Sequence, residues 1–215
     1  MTPIQECIKN KNTKIIPIWL MRQAGRYLPE FREIRSKNQD FIKLCLNENL
    51  SSKITLQPID RFKFDAAIIF SDILMLPYGL GQEVKFEKNF GPKLGDLNLD
   101  SLLKTNENDF SNKLNPIYKL ISKVSKDPNL KNRDIIGFVG APWTILVYMI
   151  NKLSPKKGLN ENFFKDKILI KKLLFLIEKF LKIHIKNQVK AGATIIQIFD
   201  SWAGLLKDNI EEYIY

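Results

Sequence analysis

Four short apolar runs divide the chain, and each is followed by polar residues and then by a helical pattern. The runs are residues 15–20, 64–70, 134–140 and 193–199. Because they are apolar or β-branched almost throughout, we expect strands that are covered on both faces. Such strands pair in parallel and are joined by helical crossovers. The repeat therefore predicts an α/β fold, either a doubly wound sheet or a (β/α) barrel.

Helical and hairpin patterns fill the segments between these runs. A short lead helix precedes a polar turn at residues 9–14, and longer helical patterns cover residues 31–45, 51–61, 110–124 and 163–190. Ser51 or Ser52 is a candidate N-cap, and Pro142 is placed where a first-turn proline belongs. Residues 83–87 alternate polar and apolar side chains before a turn at residues 89–92, which predicts a hairpin.

The pattern at residues 163–190 has two interpretations. Its lysines and apolar residues are typical of a helix on a membrane surface. They also fit an outer helix that packs on a sheet, and the flanking strands favour this second interpretation. A membrane-spanning helix needs about 20 apolar residues, and the apolar runs here are much shorter. The first residues also lack the apolar segment of a signal peptide, so the sequence predicts a soluble protein.

The predicted strands end in chemically unusual residues. Arg22 and Arg26 follow the first strand, Asp72 the second, residues 140–148 the third and Ser201 the fourth. In (β/α) barrels the active site lies at the carboxyl ends of the strands. This placement favours the barrel over the doubly wound sheet.

Arginine is scarce and clustered. Lys and Arg total 34 and the formal net charge is +11, which predicts an anionic partner without identifying it. Four of the six arginines lie between Arg22 and Arg35. Arginine binds carboxylate or phosphate with two parallel hydrogen bonds and stays charged when desolvated. We interpret Arg22 and Arg26 as an anion site, whereas Arg32 fits a solvated helix face equally well.

Other common sites have little support. The chain has no GxGxxG, GxxxxGK[ST], HExxH or CxxC motif, which weakens nucleotide, phosphate-loop and zinc interpretations. Cys7 and Cys45 are too few for a disulfide scaffold and are expected to be reduced thiols in a cytoplasmic protein. The single histidine, His184, lies between isoleucines and is expected to be structural.

Four segments resemble one enzyme family. MRQAGRYLPEFR at residues 21–32, FSDIL at 70–74, GFVGAPWT at 137–144 and FDSWAG at 199–204 resemble segments of the uroporphyrinogen decarboxylase family, in the same order. The resemblance implies a (β/α)8 TIM barrel that converts uroporphyrinogen III to coproporphyrinogen III in haem biosynthesis by removing CO2 from four acetate side chains. It also implies a cytoplasmic homodimer without metal or other cofactor, which binds neither nucleic acid nor membranes.

The resemblance also assigns site residues. Asp72, Arg22 and Arg26 are the implied catalytic residues: Asp72 accepts the pyrrole N–H groups, and the arginines bind acetates, with either one assisting protonation. The implied substrate-binding residues are these three with Gln23, Ala24, Gly25, Arg35, Phe138, Tyr148, Phe199 and Ser201. From the residues alone, Asp72 also fits a helix cap, Tyr148 a core tyrosine and Ser201 a loop serine.

The chain departs from the family in length. A closed barrel needs eight strands and about 250 residues, so residues 1–215 are expected to form a single domain with about the first four β/α units. The product is then a fragment or a half-barrel with an open sheet edge. The family's C-terminal histidine has no counterpart here. Two alternatives are a related barrel methyltransferase, which would need a His/Cys metal site, and a basic module that binds nucleic acid without catalysis.

Overall fold

The computed structural model describes residues 1–10, 16–87, 90–156, 158–159 and 165–205. The chain divides into two compact units. The first comprises Met1–Asp72, Leu114–Phe138 and Ile185–Gln197. The second comprises Ile73–Lys113, Val139–His184 and Ile198–Tyr215.

The described part of the chain contains both helices and strands. The helices are α1 Pro3–Asn10, α2 Pro29–Lys37, α3 Phe41–Cys45, α4 Glu48–Phe62, α5 Met75–Leu80, α6 Leu99–Leu103, α7 Glu107–Val124, α8 Pro142–Asn151 and α9 Lys167–Ala191. The strands are β1 Ala66–Ile68, β2 Val84–Glu87, β3 Gly91–Leu94, β4 Asp134–Gly140 and β5 Ile195–Phe199.

Three of these strands form one sheet in the order β1-β4-β5. β1 and β4 are parallel, with Ala66 opposite Asp134 and Ile68 opposite Ile136. Every residue of β1 is buried, and so is every residue of β4 except Phe138. Strands buried along their length are covered on both faces, which explains their uninterrupted apolar sequences. The predicted α/β fold with a parallel sheet is therefore confirmed.

The predicted hairpin is present, but Gly91 and Pro92 of the predicted turn belong to β3, and Asn89 lies outside the described residues. β2 and β3 pair antiparallel, with Val84 opposite Leu94 and Glu87 opposite Gly91. Gly91 has a φ of 90°, a conformation that glycine adopts at little cost. The buried side chain of Gln82 supports the hairpin, because its amide nitrogen donates to the carbonyls of Gly95 and Met149 at 3.0 Å.

Most of the other predicted elements are present, several of them with shifted ends. The lead helix, the helix at residues 110–124, the third strand, the helix that begins at Pro142 and the fourth strand correspond to α1, α7, β4, α8 and β5. Of the predicted second strand, residues 64–70, only Ala66–Ile68 form a strand, which is β1. Residues 11–14 of the predicted polar turn lie outside the described residues.

The prediction of a first strand at residues 15–20 is wrong for residues 16–20, and Ile15 lies outside the described residues. The Asp65 N–H donates to the carbonyl of Ile18 at 3.0 Å, and the Ile18 N–H donates to the Asp65 carboxylate at 2.7 Å. The Asp65 carboxylate thus accepts the hydrogen bond that the main-chain carbonyl of a neighbouring strand would otherwise accept. Pro17 has no N–H for a ladder, so this segment meets the sheet without joining it.

The predicted helix at residues 31–45 is two helices, α2 and α3. Asn38 ends α2 with a φ of −132°, which is outside the helical range. Asp40 then caps α3 by accepting a hydrogen bond from the Lys43 N–H at 3.0 Å. The periodicity continues across the break because both helices bury their apolar residues, including Phe31 and Leu44.

The N-cap predicted for the next helix is also wrong. α4 begins at Glu48, and Asn47 Oδ1 accepts from the N–H groups of Asn49 and Leu50 at 3.2 and 3.0 Å. The candidate serines lie inside the helix: Ser51 donates to the carbonyl of Leu44, and Ser52 to that of Glu48. A serine near the start of a helix can either cap the helix or donate to a main-chain carbonyl. The local sequence does not distinguish these two roles.

The long helical pattern at residues 163–190 corresponds to α9, and residues 163–164 lie outside the described residues. One face of α9 is buried, including Ile170, Leu173, Ile177 and Phe180. The Phe180 ring lies 4.8 Å from that of Phe110. A buried face is what the outer-helix interpretation predicts. None of the helices in the described part of the chain combines the length and apolar composition needed to cross a membrane.

His184 lies on the buried face of α9, as its structural interpretation predicts. Its side chain is 4% exposed and meets the Phe110 ring edge-on, with centroids 6.3 Å apart. Burial lowers the pKa of His184 to about 4.

This burial predicts a pH dependence of stability. The unfolded chain protonates His184 at about pH 6.5, whereas the folded chain does so only near pH 4. The free energy of unfolding should therefore be independent of His184 above about pH 6.5 and fall as the pH drops toward about 4. Urea unfolding at two pH values measures this loss, which should be smaller in His184→Gln. Equal losses in both proteins would contradict the prediction.

Candidate active site

The loop of residues 21–26 is held by the side chain of Gln23, which is 1% exposed. Its amide nitrogen donates to the carbonyl of Ala66, at the start of β1, at 3.1 Å. Its amide oxygen accepts from the Leu20 N–H at 3.0 Å, and the Tyr27 hydroxyl donates to the carbonyl of Gln23. Because the Gln23 side chain is buried and hydrogen-bonded within the protein, its part here is to hold the loop.

Arg22 and Arg26 flank this fixed turn, and both are exposed. The Arg32 guanidinium donates to the carbonyls of Arg26 and Tyr27 at 2.7 and 3.3 Å. Arg32 therefore supports the loop rather than only facing solvent. A side chain at Gly25 would bring its Cβ within 3.3 Å of the Tyr27 ring, so the turn is tightly packed between its two arginines.

An apolar cluster joins this loop to the segment that follows β1. The cluster consists of Leu28, Phe31, Leu44 and Ile54. Ala24 of the loop and Phe70, which follows β1, both pack against it. The rings of Phe31 and Phe70 meet edge-on with centroids 5.8 Å apart. The arginine loop and the segment leading to Asp72 are therefore attached to one core.

Asp72 lies two residues beyond Phe70 and is partly buried. The Phe70 N–H donates to the hydroxyl of Thr55 at 2.9 Å, and Thr55 is 1% exposed. This bond fixes the backbone just before Asp72. Helix α5 has Leu74 at its N-cap, without a side-chain hydrogen bond. Asp72 is therefore not the N-cap residue, which was one of the two interpretations open from the sequence.

The charges of Arg35 and Asp72 both affect the pKa of the buried Cys45 thiol. Burial raises the pKa of Cys45 well above its usual range, the charge of Asp72 raises it further, and that of Arg35 lowers it. Arg35 also donates to the carbonyl of Asn38 and lies 5.6 Å from the centroid of the Phe41 ring. The predicted substrate-side arginine thus lies in electrostatic range of the sulfur that Asp72 also affects. Cys7 and Cys45 are both free thiols, as predicted.

Phe138 is held by Gln188 of α9, which is 2% exposed. The amide oxygen of Gln188 accepts from the Phe138 N–H at 3.0 Å, and its amide nitrogen donates to the Phe138 carbonyl at 3.0 Å. This pair of bonds imitates pairing with a neighbouring strand. A Cβ at Gly137 would lie 2.5 Å from the amide oxygen of Gln188, so glycine is needed for the approach.

Replacing Gln188 by leucine should destabilise the fold by about 2 kcal/mol, because the two hydrogen bonds between its side chain and the Phe138 main chain are lost. Gly137→Ala should have a similar effect, because its Cβ displaces the Gln188 amide. Urea unfolding measures both losses. The control is Gln39→Leu at an exposed position, which should change stability by less than about 0.5 kcal/mol. Equal losses in Gln188→Leu and the control would rule out this bracing.

Three predicted site residues belong to the second unit. Tyr148 lies on α8, is partly buried, and its ring meets that of Trp202 edge-on at 6.0 Å. Phe199 ends β5, and its carbonyl accepts from the Ala141 N–H at 2.8 Å. Ser201 is exposed in the turn after β5. The structure thus places Tyr148 beside the turn that carries Ser201.

Sequence reasoning did not assign a role to the residues that brace this site. Gln188, Thr55 and Thr144 are each nearly inaccessible to solvent and hydrogen-bond to segments that carry predicted site residues. The available signal was a polar residue at an apolar position of a helical pattern. This signal identifies the buried polar residue but not its partner. Gln188 and Phe138, for example, are 50 residues apart in the sequence.

Within the ranges that the structure describes, no group of three or more His, Cys, Asp and Glu side chains is placed to hold a metal ion. The chemistry offered by the predicted site residues is that of guanidinium, carboxylate, phenol and hydroxyl groups beside aromatic rings. Guanidinium groups bind carboxylates, and a carboxylate stabilises a cation.

Known proteins resemble this chain over most of its length. A profile of the family described as "Uroporphyrinogen decarboxylase (URO-D)" matches residues 1–214. A protein named uroporphyrinogen decarboxylase from Rickettsia felis is 42% identical over 207 residues, which are 95% of this chain and 60% of that protein. Proteins of the same name from Rickettsia bellii and Campylobacter jejuni are 44% and 42% identical, over 97% and 99% of this chain.

These comparisons also show how far the likeness extends. The chain spans about 60% of the length of these curated relatives. A solved structure of a methyltransferase from Methanosarcina mazei superposes with a TM-score of 0.70, covering 92% of this chain and 57% of that one. At 15% sequence identity that likeness shows the fold alone. The profile match over nearly every residue shows that the chain belongs to the uroporphyrinogen decarboxylase family.

Proposed function

We propose that the full-length protein removes CO2 from the four acetate side chains of uroporphyrinogen III and releases coproporphyrinogen III. One observation carries the proposal: a common apolar cluster holds the loop of Arg22 and Arg26 and the segment that leads to Asp72. In a chain of this family, these are the residues that decarboxylation of a tetrapyrrole requires.

The arginines suit the substrate's charge. Uroporphyrinogen carries a carboxylate on every side chain, and guanidinium groups bind carboxylates with two parallel hydrogen bonds. Arg22 and Arg26 are exposed on a loop whose conformation is fixed by Gln23 and Arg32. A fixed loop backbone loses little conformational entropy on binding, which favours binding of an anionic substrate.

The carboxylate of Asp72 suits the reaction itself. Loss of CO2 from a pyrrole acetate leaves an electron pair on carbon, and a neutral pyrrole accepts it poorly. Protonation of a pyrrole carbon first makes the ring cationic, so that the ring takes up the electron pair when the bond to CO2 breaks and an exocyclic methylene is left. A proton added to this methylene and loss of the proton from the ring carbon then give the methyl group and restore the pyrrole. Asp72 accepts hydrogen bonds from the pyrrole N–H groups and stabilises this cation. A preorganised charge of this kind contributes about 3–4 kcal/mol.

The other predicted site residues take supporting roles in the proposal. Arg35 is a further arginine on the substrate side, and Gln23, Ala24 and Gly25 shape the arginine loop. In the second unit, Tyr148 and Ser201 hydrogen-bond to substrate carboxylates. The remaining two residues, Phe138 and Phe199, contribute apolar surface.

The proposal extends to the architecture that the resemblance implies. Residues 1–215 are then the N-terminal part of a single (β/α)8 barrel domain, in a cytoplasmic homodimer whose partner molecule is the tetrapyrrole. No nucleic acid, membrane or cofactor takes part. Likeness of fold to a methyltransferase carries no activity at this identity, and the described residues offer no His/Cys metal site of the kind that activity would need.

An assay with reduced uroporphyrinogen under anaerobic conditions tests this function. The purified full-length protein should release CO2 stepwise and accumulate the tetramethyl product. Metal analysis of the same preparation tests the methyltransferase alternative. Stoichiometric zinc without CO2 release would overturn the decarboxylase proposal, and so would salt-sensitive DNA binding that a polycarboxylate porphyrin competes poorly.

A further inference from the structure

The hydroxyl of Thr144 joins the two residues that flank Ser201. Thr144 is fully buried in α8. Its hydroxyl donates to the carboxylate of Asp200 at 2.7 Å and accepts from the main-chain N–H of Trp202 at 3.1 Å. Donating once and accepting once, it fixes the chain immediately before and after Ser201.

Further bonds from the start of α8 hold the same turn. The Trp143 indole N–H donates to the carbonyl of Trp202 at 2.9 Å, and the Ala141 N–H donates to the carbonyl of Phe199 at 2.8 Å. The indole N–H of Trp202 is buried without an acceptor in the described part of the chain. Trp202 is thus held through its main chain, which makes the bond to Thr144 important for its position.

Tyr148 lies one turn after Thr144 on the same helix. Residues four apart lie on the same face of a helix, and the Tyr148 ring meets that of Trp202 edge-on at 6.0 Å. The face of α8 that holds the turn therefore also carries Tyr148. A shift of the turn would move Ser201 and remove the ring against which Tyr148 packs.

We propose that Thr144 is a positioning residue that holds Ser201 and Tyr148 in the geometry that binds substrate carboxylates. Thr144 is buried, so it acts through the turn and not by touching substrate. The inference rests on the proposed function, because it assumes that Ser201 and Tyr148 bind a polycarboxylate. It adds the prediction that a buried hydroxyl sets substrate affinity.

Kinetics of Thr144→Val test this role, because valine keeps the shape of the side chain and removes both hydrogen bonds. With uroporphyrinogen, KM should rise about tenfold while kcat changes less than about twofold. Thr144→Ser restores the hydroxyl and should restore KM. Asp200→Ala removes one of the bonds from the other side and should also raise KM. A folding defect alone would instead lower the active fraction, and so kcat, at unchanged KM.

Hydrogen exchange at the Trp202 amide provides a readout that does not depend on activity. This amide should exchange about tenfold faster in Thr144→Val and at the original rate in Thr144→Ser. If the wild-type protein decarboxylates and Thr144→Val leaves KM unchanged, the positioning role is overturned while the proposed function stands. If the wild-type protein releases no CO2, the proposed function fails, and an unchanged exchange rate would overturn the role of Thr144 as well.

Discussion

Replacing Asp72 by asparagine is expected to lower kcat about 100- to 1,000-fold. Asparagine keeps the size of the side chain and one acceptor oxygen, but it has no charge to stabilise a cationic pyrrole. The loss should appear mainly in kcat, because the cation develops as the reaction proceeds and is absent from the bound substrate. Steady-state kinetics with uroporphyrinogen measure both constants.

The control for this variant is Asp60→Asn. Asp60 is exposed in the same unit and accepts a hydrogen bond from the Asn129 side chain at 3.1 Å. Its replacement removes the same charge from the protein at a position outside the proposed site. The control should keep kcat within about twofold. Full activity of Asp72→Asn would show that the carboxylate does not stabilise the transition state.

Replacing Asp134 by alanine is expected to destabilise the fold by about 3 kcal/mol. Asp134 is inaccessible to solvent at the start of β4. Its carboxylate accepts from the Gln5 side-chain amide and the Thr194 hydroxyl, both at 2.7 Å, and from the Thr2 hydroxyl. It therefore ties the start of α1 to the sheet. Alanine removes all three of these hydrogen bonds, and hydrogen bonds to charged groups contribute about 1.5–3 kcal/mol each before relaxation.

Urea unfolding measures this loss, and Asp134→Asn is the matched comparison. Asparagine keeps one acceptor oxygen, so it should retain part of the network and lose less stability than alanine. A value within about 0.5 kcal/mol of wild type for Asp134→Ala would contradict this role for the carboxylate.

Elements that bury a regular pattern could be predicted from the sequence. β4 was predicted with its observed ends, because a fully buried strand has few polar interruptions. α8 was predicted from Pro142, whose missing N–H costs nothing in the first turn. Both signals are local, since each depends on residues within the element.

Elements that depend on distant partners could not be predicted in this way. Residues 16–20 have the composition of a strand, but Ile18 bonds to the carboxylate of Asp65. The pattern does not reveal that a side chain takes the place of a neighbouring strand. The short helix α5 was missed because Pro77 and Gly79 lie inside it, and both residues are poor helix formers in general.

The same difference between local signals and distant partners applies to the candidate site. Arg22 and Arg26 were predicted as an anion site from the clustering of arginine, and Asp72 from the family resemblance. The structure attaches their segments to one apolar cluster. The bracing bonds of Gln188 and Thr144 join residues that are 50 or more positions apart in the sequence. Such pairs follow from the fold, so their partners become visible only with it.

A crystal structure of the full-length protein with bound coproporphyrinogen tests the central claim most directly. The account predicts that the Asp72 carboxylate lies within hydrogen-bond distance of pyrrole N–H groups and that the guanidinium groups of Arg22 and Arg26 face side chains at the rim of the same macrocycle. A macrocycle bound away from Asp72, or out of reach of both arginines, would contradict it.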